Sequence, residues 1–200
     1  MSSVDSVLSA PQRAAFDWLL SRHSAWPLLA PAPSQAELDL VFDTALRAPD
    51  HGRLMPWRFV VIREAQREAL GEVFAAAAQA REPGNDGERF RQKAFGAPLA
   101  IALGAHVEPG HKVPEIEQMM SVAAAAMNML DALHILGYGG FWSSGMNARD
   151  EQVKSALGFG EHERLLGFLY VGTPRAEQRQ PERPARQDFV REWGGLARGA

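Results

Sequence analysis

Arg47-Ala-Pro-Asp-His-Gly-Arg-Leu-Met-Pro-Trp-Arg-Phe-Val-Val-Ile62 sets cationic, imidazole and turn-forming residues between a helix and a strand. Pro49 bars the preceding helix from continuing, Asp50 and Gly52 suit a turn, and Pro56 resets the backbone just before a run of strand character. Together they predict a rigid polar corner. Arg47 in the last helical turn, His51 in the turn and Arg53 just after it can face one side, where an anionic ligand would meet three donors. The same residues also suit a plainer assignment, with Arg47 capping the carbonyl end of its helix and His51 solvated.

Upstream of the corner, Ser34-Gln-Ala-Glu37 reads as a capping box, and Leu38, Val41, Phe42, Ala45 and Leu46 follow at helical spacing. The segment from Trp26 to Pro33 carries three prolines and is expected to be an extended connector. Before it, Ser9 and Pro11 suit a cap and first turn for a helix running to about Arg22, with Ala15, Phe16, Leu19 and Leu20 spaced to bury one face. Arg22-His23-Ser24 at its end offers guanidinium, imidazole and hydroxyl donors, a set suited to a phosphate or simply to water.

Downstream, Trp57 to Ile62 is aromatic and β-branched and is expected to be a buried strand. Ala65 to Ala80 returns to helix with Leu70, Val73, Phe74 and Ala77 inward, and Glu82 to Gly87 is a loop. A short amphipathic piece, Phe90 to Phe95, leads to a second buried strand, Leu99 to Leu103. His106 to Pro114 is a polar connector whose two histidines lack the carboxylate pattern of a zinc-protease site, so no metal is expected. Glu115 to Leu136 is apolar nearly all round, the mark of a central helix, while Asn128, Asp131 and His134 bar a lipid-facing span. Glu117, Ser121 and Asn128 fall near one stripe, either a seam toward a partner or cofactor or a set of internal hydrogen bonds. Gly137 ends the helix, and Tyr138 to Gly145 is a glycine-flanked strand that would let a planar ligand lie close to the backbone. Asn147 and Asp150 start another helix, Leu165 to Val171 is the last strand, and the remainder is a Pro-, Gln-, Glu- and Arg-containing tail anchored at most by Phe189, Val190 and Trp193.

The 200 residues are 46% apolar and 22% charged, the balance of a globular protein, and the tail contains no internal repeat and marks no second domain. We expect one domain over 1–200, with a core from about 10 to 174 and an extended tail, 175–200, available to pack on a partner subunit. Its net charge of −3 argues against nucleic acid, and the absence of cysteine removes disulfides, iron–sulfur clusters and thiol nucleophiles. Redox chemistry would require a bound cofactor. The N-terminus lacks the features of a signal peptide and no apolar run is long enough to span a membrane, so the expected location is the cytoplasm. Three or four short strands separated by helices predict an α+β fold with helices on the faces of a sheet.

Three clusters in order resemble the FMN-dependent nitroreductase family: Arg22-His-Ser24 with Pro31-Ala-Pro-Ser34, Arg47-Ala-Pro-Asp-His51 leading into Pro56-Trp-Arg-Phe-Val-Val61, and Gly137-Tyr-Gly-Gly-Phe-Trp-Ser-Ser-Gly145. His111-Lys-Val-Pro114 and Gly167-Phe-Leu-Tyr-Val-Gly-Thr-Pro174 are similar to the small-subunit branch, and the likeness covers about residues 15 to 174. It implies a central, mostly antiparallel sheet flanked by helices, in an interlocked homodimer with one FMN in each of two interface pockets. Arg22 and Ser24 match positions that hold the flavin's phosphate, with His23 between them in the place of a second arginine, Arg47 and His51 match positions contributed across the dimer, and Trp142, Ser143 and Ser144 match a further flavin-contacting segment. The implied activity is ping-pong transfer from NADPH or NADH to a small acceptor such as a nitroaromatic or quinone, with the flavin N5 carrying hydride and no side chain acting as the catalytic group. Charge and hydrogen bonding from Arg47 or His51 would stabilise the reduced ring. Other outcomes on the same fold are dehalogenation, flavin breakdown, or flavin binding and ligand sensing with little turnover. The chain departs from the family pattern at His23 and Ser143, where arginines are common, and at Arg53 and Met55, which replace Asn and Gln.

Overall fold

The computed structural model describes residues 7–175 and 181–194. Five strands form one antiparallel sheet: β1 (Leu28–Leu29), β2 (Trp57–Ile62), β3 (Leu99–His106), β4 (Gly139–Ser143) and β5 (Glu163–Pro174), in the order β1-β5-β3-β2 with β4 also paired to β5. The longest strand, β5, organises the sheet. Its residue Val171 pairs with Leu99 on β3 and with Gly140 on β4, and its last two residues hold β1. The sequence legibly marks four of these strands; the two-residue β1 hides in the proline-bearing connector.

Alternation along β3 and β5 divides the core into two layers. Leu99, Ile101, Leu103, Leu169 and Val171 face one side, against α2 (Gln35–Ala45) and α5 (Glu115–Ile135). Ala100, Ala102, Phe168 and Tyr170 face the other, against α3 (Arg67–Arg81) and α6 (Glu151–Ala156), where Phe74 meets the Phe168 ring edge-on at 5.1 Å. Helices on both faces explain why β3 is an unbroken apolar run, since neither side of it meets water. By contrast β2 lies at the sheet edge, and only Ile62 of its residues is fully buried, so the expectation of a buried strand is corrected to a half-exposed one.

The capping box that starts α2 forms as read: Glu37 Oε2 accepts from Ser34 N and Oγ, both at 2.7 Å, and Glu37 N donates to Ser34 Oγ at 3.3 Å. Leu38, Val41 and Ala45 are buried on the sheet side, whereas Leu46 is 53% exposed. The first helix, α1 (Ala10–Ser21), forms where the sequence places it but buries no residue, and Phe16, Leu19 and Leu20 remain exposed. Its apolar stripe therefore has no counterpart among the described residues of the same chain. A further short helix, α4 (Glu88–Arg91), completes the set.

Candidate functional site

The corner after α2 is held by one carboxylate. Asp50 accepts from Leu54 N at 3.2 Å and Met55 N at 2.8 Å, which closes a tight turn over the 3-10 segment His51–Arg53. Gly52 takes φ 81° there, as a turn glycine can, but Arg53 at φ 56° and Met55 at φ 49° adopt the same left-handed region at a steric cost. This tight turn separates the three cations that the sequence reading brings to one side. Arg47 lines a cavity of about 420 Å³ between α2 and α5 with Thr44, Asn128 and Asp131. His51 lines another of about 540 Å³ with Pro49, Glu117 and Met120. Arg53 lines a third of about 550 Å³ with Met55, Trp57 and Arg58. The polar stripe of α5 supplies the framework: Asn128 Nδ2 donates to Thr44 O at 3.0 Å, Trp57 Nε1 donates to Ser121 O at 3.2 Å, and His51 Nδ1 lies 2.6 Å from Glu117 Oε2.

At the far end of α5, the segment after α1 builds a second cationic cluster. Arg22 Nε lies 3.5 Å from Asp131 Oδ1, and His134 Nε2 meets Ser21 Oγ at 2.9 Å with the Trp18 ring edge-on at 5.4 Å. Burial raises the Asp131 carboxyl above its ordinary value against the opposing pull of Arg22 and His134. Burial lowers His134, and the neighbouring His23 and Arg22 push it the same way. Arg22 Nη1 and His23 Nε2 are buried without a hydrogen-bond partner among the described residues. The Arg22 donor fits an oxyanion, and since His23 Nδ1 lies 3.4 Å from Ser21 O and so carries the ring hydrogen, His23 Nε2 joins it as a donor in the imidazolium form. Ser24 beside them is exposed, and Arg183 of the tail donates to Arg22 O.

Trp142, Ser143 and Ser144 lie elsewhere. β4 starts with Gly139 packed against the connector at Ala25 and Leu28, then runs along β5 to Ser143, paired with Phe168. Trp142 Nε1 donates to Leu166 O at 3.3 Å, and Ser144 is exposed. Glu117 and Asp131 are 14 residues apart on α5, about 21 Å along its axis, so the His51 and Arg22 clusters are well separated within one chain. Sequence reasoning named Asp131 and His134 only as barriers to a lipid-facing helix. Their spacing of three on one helix, beside a half-buried arginine, was the available signal.

Among known proteins, the Nitroreductase family model matches residues 19–173. The Escherichia coli K12 protein named "Putative NAD(P)H nitroreductase YdjA" is 39% identical over 164 residues, covering 80% of this chain and 88% of that protein. A Haemophilus influenzae protein named "Putative NAD(P)H nitroreductase" is 32% identical over 161 residues, with 80% and 88% covered. A nitroreductase-like family protein of Bacillus cereus superposes with a TM-score of 0.80 at 18% identity, over 90% of this chain and 96% of that one. The FMN and NADPH-dependent nitroreductase NfnB of a sphigopyxis strain gives 0.73 at 18% identity, over 94% and 100%. These two structures agree with the fold.

Proposed function

The chain belongs to the nitroreductase family, and from that premise we propose that it is an FMN-dependent NAD(P)H oxidoreductase that works as a homodimer. The observation that carries the cofactor reading is the buried Arg22 Nη1 donor, unpartnered among the described residues, which a phosphate oxygen would complete, with His23 Nε2 beside it able to donate as the imidazolium. When bound, FMN supplies the two-electron chemistry, with NADH or NADPH as hydride donor and a nitroaromatic, quinone or similar small molecule as acceptor. Arg22, His23 and Ser24 bind the phosphate end. Arg47, and His51 as the imidazolium, offer positive charge and donors to the ring, and Trp142, Ser143 and Ser144 provide a flat segment against it.

The roughly 21 Å that separates the Arg22 and His51 clusters along α5 supports a shared site, because a second copy can bring its own corner to the first copy's phosphate donors. The exposed apolar residues of α1, with Ile135 and Leu40 at the cavity beside Arg47, give that copy a surface to cover. Among the described residues no helix is long and apolar enough to cross a membrane.

The test is the purified protein's absorption spectrum followed by steady-state kinetics. A flavin band, and NAD(P)H oxidation with a nitroaromatic giving parallel double-reciprocal lines, are expected. Protein that stays colourless when mixed with FMN overturns the reading. A second reading, flavin binding with little turnover, rests on the weakened phosphate cluster, in which His23 stands in place of a permanently charged arginine. Reoxidation of the bound flavin by a nitroaromatic no faster than that of free FMN would select it.

A further inference from the structure

We infer that Glu117 is the positioning residue of His51, fixing the proton on Nδ1 and leaving Nε2 as the ring's free edge toward its ligand. The inference rests on the reading of His51 as a flavin-site residue. A carboxylate only accepts, so a 2.6 Å contact between His51 Nδ1 and Glu117 Oε2 requires the hydrogen on Nδ1. In the neutral ring Nε2 is then an acceptor, and in the imidazolium it is a second donor.

The side chains are 66% and 42% exposed, so the pair adds little to folding stability. Orientation is the better account of it, because both partners stand on fixed backbone. Glu117 lies in the first turns of α5, and the next residue, buried Gln118, fastens that end of the helix to the connector before it. Gln118 Oε1 accepts from Glu108 N at 2.9 Å and its Nε2 donates to Val113 O at 2.9 Å. His51 lies in the corner that Asp50 clamps, and that corner packs on the same connector, since a Cβ added at Gly52 would come 3.1 Å from Val113 Cγ2. The pair faces a cavity of about 540 Å³, so the imidazole is held at its rim without being buried.

The experiment is a long-range ¹H–¹⁵N correlation of the histidine rings in the full chain, with His51 assigned from its loss in His51→Gln. The neutral ring is expected to carry its proton on Nδ1 in the wild type and in Glu117→Gln, whose amide oxygen still accepts. In Glu117→Ala the population shifts to Nε2–H. An unchanged tautomer in Glu117→Ala overturns the assignment. A second readout is the FMN dissociation constant: Glu117→Ala weakens binding about fivefold when His51 is present and by under about twofold in His51→Gln. Equal losses in both backgrounds also overturn it. A wild type that binds no FMN would sink the proposed function, while the tautomer measurement would still decide the role of Glu117.

Discussion

Arg22 Nε stands 3.5 Å from Asp131 Oδ1 across the junction of α1 and α5, yet among the described residues Arg22 Nη1 and Asp131 Oδ1 are both buried without a hydrogen bond. The guanidinium is neutralised in charge but not satisfied in hydrogen bonding. A phosphate arriving at Arg22 would complete its donors and would also meet the repulsion of the carboxylate. Asp131→Asn removes that repulsion and keeps the shape, so FMN is expected to bind roughly fivefold tighter, as read by fluorescence titration. Weaker binding would mean that Asp131 serves to orient Arg22 rather than to oppose its ligand.

Removing the guanidinium has the opposite effect. Arg22→Ala is expected to lower FMN affinity by about tenfold or more, the worth of a charge-assisted hydrogen bond. Arg175→Ala, at an exposed position just past β5, is the control and should leave affinity unchanged. Equal losses in the two variants would contradict the phosphate assignment.

His134 makes the same junction sensitive to acid. Its folded-state pKa lies below the ordinary 6.5, first because of burial and then because His23 and Arg22 face it, with only Asp131 pulling upward. The unfolded chain therefore binds the proton more readily, and folding stability falls as pH drops through 6.5 toward the depressed value. His134→Gln removes that loss, so its melting temperature should fall less between neutral pH and pH about 5.5, by roughly 2 °C relative to the wild type. Identical pH profiles would show that His134 titrates normally.

α1 offers an exposed apolar stripe to the proposed partner. Leu20, on its last turn, is 73% exposed. Leu20→Asp should leave the chain folded and raise the dimer dissociation constant at least about tenfold, measured by analytical ultracentrifugation. A variant as dimeric as the wild type would move the interface elsewhere.

The strands and helices were legible because their signals are local. The Ser34 capping box, the turn chemistry of Asp50 and Gly52 and the apolar run of β3 each follow from neighbours in sequence. What remained hidden depends on contacts across the fold. The sequence shows that α1 has an apolar face, but not that the described residues of the same chain leave this face uncovered. Arg47, His51 and Arg53 look convergent on paper and line separate cavities because Arg53 and Met55 turn left-handed, a conformation those side chains do not advertise. Asp131 and His134 gained meaning only once Arg22 was placed beside them.

The close fit of β4 on β5 links the fold to the Trp142–Ser144 segment through a single glycine. Gly167 takes φ 148°, and a Cβ built on it would lie 2.4 Å from Trp142 Nε1 and 2.6 Å from Ser143 O. It sits at an irregular register, since Leu103 pairs with Gly167 while Gly104 pairs with Leu165, so Leu166 is the extra residue that bends β5 toward Trp142. The ring cannot retreat cheaply, because Trp142 Nε1 donates to Leu166 O and the side chain packs among the residues of the α5 layer. Gly167→Ala must therefore push the Trp142–Ser143 backbone away from β5, breaking the ladder and moving the proposed flavin-contacting segment together. The expected result is destabilisation of about 2–4 kcal/mol in denaturant titration, with FMN affinity reduced by about tenfold even under conditions where the variant is fully folded. A variant that loses stability but binds FMN as the wild type does would remove Trp142 and Ser143 from the cofactor site and leave them as packing for β5.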